Sequence, residues 1–334
     1  MHELTDAERH LLLCLWDRRD ERSRTASLAE LQTIEDKHAP GRAFDLTPAV
    51  GGLEARGLIQ REGDAFTLTD EGIAATHVAF AKVMHDGFSA QLVRDAKSRV
   101  FAEYCRRVNG VGHFQYNIVD VPQLDRLIES LSLRPGDRFA DLGCATGALT
   151  VEIARRTGAH GVGLDFAEPA IMLAREQTAD NERVSFVTGN MNTLELPGPD
   201  FDAIVAIDTL YFVDDLPAVV GDILARLKPS GRFATFYSST RRPADAPETL
   251  SVDATRLAKA LQSHGAEYEA TDFTSAAQAL WRRASLATED LKEAFFEEGE
   301  QETWESRDRE NREVLSNHEA GLVARHLYVA RPGS

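Results

Sequence analysis

The chain has 334 residues, about twice the usual domain size, which points to two domains. With 43% hydrophobic and 27% charged residues it reads as globular rather than disordered, and no apolar run is long enough to span a bilayer. The net charge of −17 opposes broad capture of nucleic acid or anionic lipid. Cys14, Cys105 and Cys144 are too few and too scattered for a disulfide framework or a zinc site. They suit a reducing setting, and the first residues lack the basic-then-apolar pattern of a leader, so a cytoplasmic location is expected. Nearly half of the net charge sits between Glu289 and Glu319, where twelve acidic residues face four basic ones; this reads as a solvated helical face.

Residues 1–76 read as three helices and a hairpin. The first helix carries Leu4, Leu11, Leu12, Leu15 and Trp16 at helical spacing. Ser27-Leu-Ala-Glu30 is a capping box that opens the second, and Thr47-Pro48 reads as the cap of the third, which stops at Gly57. Leu58-Ile59-Gln-Arg and Phe66-Thr-Leu68-Thr then alternate around Glu62-Gly63-Asp64, two short strands about a tight turn. This order, with Leu53-Glu-Ala-Arg-Gly57-Leu-Ile and Phe66-Thr-Leu-Thr-Asp-Glu-Gly72, resembles the winged-helix fold. That resemblance implies either DNA reading or a packing and dimerising role. The third helix holds two glycines and one arginine in place of base-reading side chains, and residues 1–76 carry fifteen acids against nine bases. A packing or homodimerising role is therefore expected, with a DNA-binding regulator as the alternative.

A helical connector is expected over 77–111, from the ladder Phe80, Met84, Phe88, Leu92, Val100, Tyr104 and Val108. From 112 to 334 short apolar strands alternate with amphipathic helices. Strands are expected at 138–142, 161–164, 184–187, 202–207, 231–236, 267–273 and 325–330, with a helical insertion over about 275–320. Such alternation means an α/β fold with a doubly wound, mostly parallel sheet covered on both faces. Ligands bind beyond the carboxyl ends of such strands.

Four consecutive strand ends carry polar or small residues. Asp141-Leu-Gly143-Cys-Ala145-Thr-Gly147 lets backbone amides and a helix N-terminus approach a ligand. Asp165, in Gly163-Leu-Asp165-Phe166, is placed to accept two ribose hydroxyls. Gly189-Asn190-Met191-Asn192 and Asp208-Thr-Leu-Tyr211-Phe212 follow the next two strands. Residues 112–330 thus resemble the class I S-adenosylmethionine-dependent methyltransferases, of the small-molecule type 11/25 kind, with a seven-stranded Rossmann-like sheet. Asp141 to Gly147 resembles their first motif, Ala145 standing where glycine is usual; Asp165 resembles the acidic residue of the second, and Leu227-Lys-Pro-Ser-Gly231 their turn into the fifth strand.

The resemblance implies S-adenosylmethionine as cofactor. Asp165 would bind its ribose, Phe166 and Met191 would flank adenine, and Asn190 or Asn192 would lie near the exocyclic amine. Gly143, Ala145 and Gly147 would line the methionine part, with Asp208 near its amino group, and Asp141 would be a further cofactor-binding residue. In related enzymes the stretch corresponding to Gly112–Gln123 lies over the cofactor, which makes Gln115 and Tyr116 further contacts. The candidate acids and bases are His113, Tyr116, Asp208 and Tyr211. No motif of nucleic-acid, arginine or arsenite methyltransferases is present, and no metal-ligand cluster is expected. The expected activity is metal-independent methyl transfer to an O, N or C atom of a small molecule, with no membrane partner.

Overall fold

The computed structural model describes residues 4–17, 22–38, 44–83, 87–112 and 114–333. They divide into two compact units, the first ending at Phe88 and the second starting at Ser89.

The first unit runs α1 (Asp6–Leu15), β1 (Trp16–Asp17), β2 (Arg22–Ser23), β3 (Ala26–Ser27), α2 (Leu28–His38), α3 (Thr47–Ala55), β4 (Ile59–Glu62), β5 (Ala65–Leu68) and α4 (Asp70–Val83). β4 and β5 form the expected hairpin, with Glu62 opposite Ala65 and Gly63 left-handed in the turn. β3 lines up beside β5; at two residues it is too short to leave a periodic signature. The capping box of α2 is formed, the Ser27 amide donating to Glu30 Oε2 at 2.8 Å and the Glu30 amide to Ser27 Oγ at 3.4 Å. The start of α3 differs from expectation. Thr47 lies inside the helix, and its amide donates to Asp45 Oδ1 at 2.9 Å, because an Asp carboxylate readily takes the amide two residues on. Gly52 of α3 is a packing residue: a Cβ there would lie 2.3 Å from Oε1 of the buried Glu8, whose partner is Arg56. Leu11, Leu15, Leu31, Leu53, Ile59 and Phe66 close the core of this unit.

The expected connector is divided. Residues 77–83 complete α4, whereas α5 (Ser89–Lys97) and α6 (Arg99–Asn109) belong to the second unit. There follow α7 (Val121–Leu131), β6 (Arg138–Leu142), α8 (Ala148–Thr157), β7 (His160–Asp165), α9 (Glu168–Gln177), β8 (Val184–Thr188), β9 (Phe201–Ile207), α10 (Leu216–Ala225) and β10 (Leu227–Thr240). The chain continues through α11 (Arg256–Ser263), β11 (Glu267–Asp272), α12 (Thr274–Asp290), α13 (Lys292–Glu298), α14 (Gln301–Glu319) and β12 (Val323–Arg331).

Seven strands form one sheet in the order β11-β12-β10-β9-β6-β7-β8. β12 runs antiparallel to both neighbours, and the other contacts between β10, β9, β6, β7 and β8 are parallel. One face packs Phe139, Val205 and Phe236 under Leu124 and Leu127 of α7 and Ile153 of α8. The other packs Ile204, Ala206 and Tyr328 under Val220 and Ile223 of α10 and Leu257 and Leu261 of α11. The chain order reverses between β6 and β9, and the crevice at their carboxyl ends is where a ligand fits such a sheet.

The insertion α12–α14 is fastened to α5 and α6 by buried polar contacts. Glu298 caps α6, accepting the Arg99 amide at 2.9 Å and the Val100 amide at 2.7 Å. Asn311 donates to Tyr104 Oη at 3.2 Å and to Thr288 Oγ1 at 2.7 Å. Thr303 donates to Asp95 Oδ1 at 2.8 Å. These contacts explain why α5 and α6 pack with the second unit: their polar partners lie some 180–210 positions further along the chain. Among the described residues no helix is long and apolar enough to cross a membrane.

Candidate functional site

The glycine loop after β6 is shaped by close approach on two sides. Gly143 and Gly147 are left-handed, and a Cβ at either would lie 2.3 Å from a neighbour, Thr209 Cγ2 or the Phe186 ring. The amides of Gly143 and Cys144 both donate to Leu164 O, at 2.7 and 3.1 Å, which hangs the loop on the end of β7. Ala145 is left-handed as well, with φ of 49°, and it is an alanine in the conformation that the usual glycine would take freely.

Two carboxylates flank this loop. Asp165, at the end of β7, is 5% exposed; its Oδ2 accepts the Ala145 amide at 2.8 Å and its Oδ1 the Ala167 amide at 2.9 Å. A carboxylate has about four acceptor positions, and three backbone donors, the amides of Ala145, Ala167 and Phe166, leave one for a further donor. Burial raises the Asp165 pKa, and the backbone donors work against that rise. Asp141 lies beneath, 3% exposed, accepting from Thr150 Oγ1 at 2.6 Å. Burial pushes its carboxyl up to about 6, against the pull of Thr150.

Residues expected around adenine are distributed along the same edge. Phe166 is half-buried, and Met191 packs half-buried against the core on the α10 side of the sheet. Asn190 is exposed and its Oδ1 accepts the Asn192 amide at 2.8 Å. The Asn192 side chain is turned to the start of α10, donating to Asp214 Oδ2 at 3.0 Å and accepting the Asp214 amide at 2.8 Å.

The end of β9 holds the strongest electrostatic contact. Asp208, left-handed at φ of 57°, takes both arms of Arg325: Nη1 to Oδ1 at 2.5 Å and Nη2 to Oδ2 at 2.9 Å. Oδ1 also accepts from Tyr211 Oη at 3.2 Å, and Oδ2 accepts the Ile118 amide at 3.3 Å. All four acceptor positions are therefore taken, and Asp208 cannot act as a base without breaking this pair. Tyr211 Oη accepts the Ser238 amide at 2.6 Å, and burial drives its pKa far upward. Arg325 is fully buried, reaching Gln123 Oε1 at 3.4 Å and Ser238 Oγ at 3.1 Å. Burial opposes its charge, the Asp208 carboxylate outweighs burial, and its pKa rises.

Tyr116 donates to Asp95 Oδ2, lies beneath the Arg307 guanidinium at 5.0 Å, and has its pKa driven up by burial. Gln115 turns inward, donating to Val119 O at 2.7 Å and Asn117 Oδ1 at 3.1 Å. His113 lies outside the described residues. Among the described residues no group of three or more His, Cys, Asp or Glu side chains could hold a metal ion. The structure thus brings together Asp141, Gly143, Ala145, Gly147, Asp165, Phe166 and Asp208 along one edge, and it ties Tyr116 and Asn192 to neighbouring elements. Sequence reasoning missed Arg325; the signal was an arginine in an otherwise apolar strand, Arg325-His-Leu-Tyr-Val-Ala.

With this geometry in place the chain can be set beside known proteins. Residues 139–231 match the family described as "Methyltransferase domain". This matched stretch lies within the second unit, whose sheet has the Rossmann-like methyltransferase fold. The chain is 31% identical over 113 residues to sterol 24-C-methyltransferase ERG6B of Gibberella zeae, covering 33% of this chain and 30% of that protein. It is 33% identical over 115 residues to nocamycin O-methyltransferase of Saccharothrix syringae, covering 33% of this chain and 41% of that protein. The matched stretch thus spans well under half of each relative. Among solved structures, Haemonchus contortus phosphoethanolamine N-methyltransferase 2, in complex with phosphomonomethylethanolamine and S-adenosylhomocysteine, superposes with a TM-score of 0.61 at 14% identity. That match covers 81% of this chain and 64% of the other, and it shows the fold alone.

Two outcomes follow from the glycine loop and the carboxylate beneath it. Ala145→Gly relieves a left-handed alanine, a gain of about 1–2 kcal/mol, and adds about 0.5–1 kcal/mol of unfolded-state entropy. A net gain of up to about 1 kcal/mol is expected, read as a higher urea midpoint. Asp141 is protonated more readily folded than unfolded, so its contribution to stability is complete only below the ordinary carboxyl value of 3.8 and is lost as pH rises through about 6. Asp141→Asn is expected to remove about 2 kcal/mol of stability difference between pH 4 and 7, checked by urea titrations at both values.

Proposed function

We propose that this chain is an S-adenosylmethionine-dependent methyltransferase that acts on a small molecule without a metal. The observation that carries the reading is Asp165, buried at the end of β7, whose carboxylate is held by the Ala145 amide of the loop and by the amides of Phe166 and Ala167 and keeps one acceptor position for a ribose hydroxyl. The glycine positions at 143 and 147, closed to any side chain, support it by fixing a loop that a ligand can approach at backbone distance. Asp141, Gly143, Ala145 and Gly147 would line the methionine part, Phe166 and Met191 would flank adenine with Asn190 or Asn192 near its amine, and Gln115 and Tyr116 would belong to the covering segment. The bound sulfonium supplies an activated methyl group, which leaves the protein to align the acceptor and exclude water. Alignment of that kind is worth about 7–11 kcal/mol.

Titration calorimetry is expected to show binding of S-adenosylmethionine and of S-adenosylhomocysteine and none of a nicotinamide dinucleotide. Asp165→Ala is expected to weaken that binding by about 1–3 kcal/mol, because it leaves the hydroxyl donors unpaired. Absence of heat with both adenosyl ligands sinks the reading. Radiolabelled methyl transfer into a metabolite extract tests turnover.

A second reading, a DNA-binding regulator, draws on the order of α1, β3, α2, α3, β4, β5 and α4, which resembles that of a winged helix. The use of Gly52 for packing against Glu8, and the acidic character of this unit, favour a winged-helix-like module that packs or forms a homodimer. Light scattering is expected to give a dimer at micromolar concentration, and mobility shift at low salt is expected to give no sequence-specific DNA complex; a tight specific complex would replace this assignment. The three buried, unpaired cysteines fit a reducing, cytoplasmic setting.

A further inference from the structure

Three of the candidate bases have their acid–base atoms engaged: Asp208 by Arg325, Tyr211 by Asp208 and Ser238, and Tyr116 by Asp95. Two buried imidazoles near that edge each keep an Nδ1 without a hydrogen-bond partner among the described residues, His318 at the end of α14 and His326, the one that lies within the sheet. His326, on β12, is 3% exposed, and its Nδ1 finds no hydrogen-bond partner among the described residues. A buried imidazole nitrogen in that condition is costly unless a further group completes it.

The register places it. His326 pairs with Tyr237 of β10 on one side and with Asp272 of β11 on the other, and paired residues share a face of the sheet. Tyr237 in turn adjoins Asp208, because the last parallel pair of β10 and β9 is Phe236 with Ile207, and the Asp208 amide continues the ladder to Phe236 O at 3.3 Å. Asp272, His326 and Tyr237 therefore share one face across three strands, and the Asp208 backbone comes next beside Tyr237, its carboxylate turned to Arg325 on the other face. The Tyr211 ring lies 5.0 Å from that of Tyr237, and His326 lies 5.7 Å from Tyr328. Ser239 Oγ, two residues beyond Tyr237 on the same face, is a second buried polar atom without a partner among the described residues.

We propose that His326, backed by Asp272, is the catalytic proton acceptor for a hydroxyl-bearing methyl acceptor of phenol or enol type. This rests on the methyltransferase reading and deepens it by naming the acceptor class. As the acceptor oxygen forms its bond to the methyl carbon, the carbon–sulfur bond breaks with its electron pair left on sulfur, and the hydroxyl proton passes to Nδ1 of His326. The imidazolium so formed is stabilised by the Asp272 carboxylate and later returns its proton to water. Burial lowers the His326 pKa and Asp272 works against that, which keeps the ring neutral and basic at neutral pH; Tyr237 and Tyr328 are the other titratable groups against it. A base of that strength suits phenols and enols rather than simple alcohols, whose protons are held far more tightly.

Two measurements on the full chain test this. Carbon-13 labelling at Cε1, with His326 assigned by its loss in His326→Gln, is expected to show a ring that titrates below the ordinary imidazole range, and lower still in Asp272→Asn. Labelled S-adenosylmethionine is then offered with a panel of phenols, enolic diketones and primary amines. Transfer to hydroxyls is expected, with kcat reduced about 10²–10⁴-fold in His326→Gln, S-adenosylhomocysteine affinity unchanged, and the defect shrinking for more acidic phenols. Asp272→Asn, at an exposed position, gives a milder loss and keeps the test valid if the first variant misfolds. A ring still protonated at pH 8, an undiminished kcat in His326→Gln, transfer to amines alone, or no transfer to any of the panel by a chain that binds S-adenosylhomocysteine each overturns the proposal. Failure of the native chain to bind S-adenosylhomocysteine overturns instead the reading on which it rests.

Discussion

A guanidinium with no solvent exposure is tolerable only when its charge is matched and its donors are filled, because the cost of taking it from water is several kcal/mol. Arg325 meets that condition through Asp208, Ser238 and Gln123, contributed by the end of β9, β10 and α7. Asp208 is at the same time pinned by the Ile118 amide and by Tyr211. One ion pair thus joins the antiparallel strand, the switch point of the sheet and the segment before α7. It also holds Asp208 in a left-handed backbone, and Thr209, the next residue, fills the space over Gly143 that any side chain there would need. The shape of the glycine loop and the packing of β12 are in this sense one problem with one solution.

That arrangement also separates two chemical tasks. The face of the sheet under α7 carries Arg325 and Ser238, in a network that fixes geometry and leaves the Asp208 carboxylate no spare acceptor position. The opposite face carries His326 and Ser239, whose polar atoms are not saturated. A methyl-transfer site needs both qualities, a rigid frame that aligns the reactants and a place for a proton where the acceptor has one to lose.

The parts legible in the sequence were those whose cause is local. The strands announced themselves by short apolar runs, the capping box of α2 by Ser27 and Glu30, and the glycine loop by Asp141 to Gly147, since each depends on residues within a few positions of one another. Asp215 likewise reads as the cap of α10, and it accepts the Ala218 amide at 3.0 Å. What was not legible depends on distant partners. The carboxylate of Asp208 is bound to a residue 117 positions away, and Tyr116 depends on Asp95 and on Arg307 from the insertion. The helices at 89–109 carry an apolar ladder that fits either unit; the caps and buried hydrogen bonds to α12–α14 decide which, and no spacing rule encodes them.

The position of β12 within the sheet has a consequence for how the chain acquires its fold. The last strand in chain order is not an edge strand but lies between β10 and β11, and the helix cap for α6 comes from Glu298, about 200 positions later. Contacts of such long sequence separation raise the contact order and slow folding, because loop closure must precede the gain. On the ribosome, the strands up to β10 can pair as they emerge, whereas β11 has no partner in the sheet until residues 323–331 have been made. The second unit therefore completes late and all at once, and until then the hydrogen-bonding edge of β10 stands open to chaperones or to self-association.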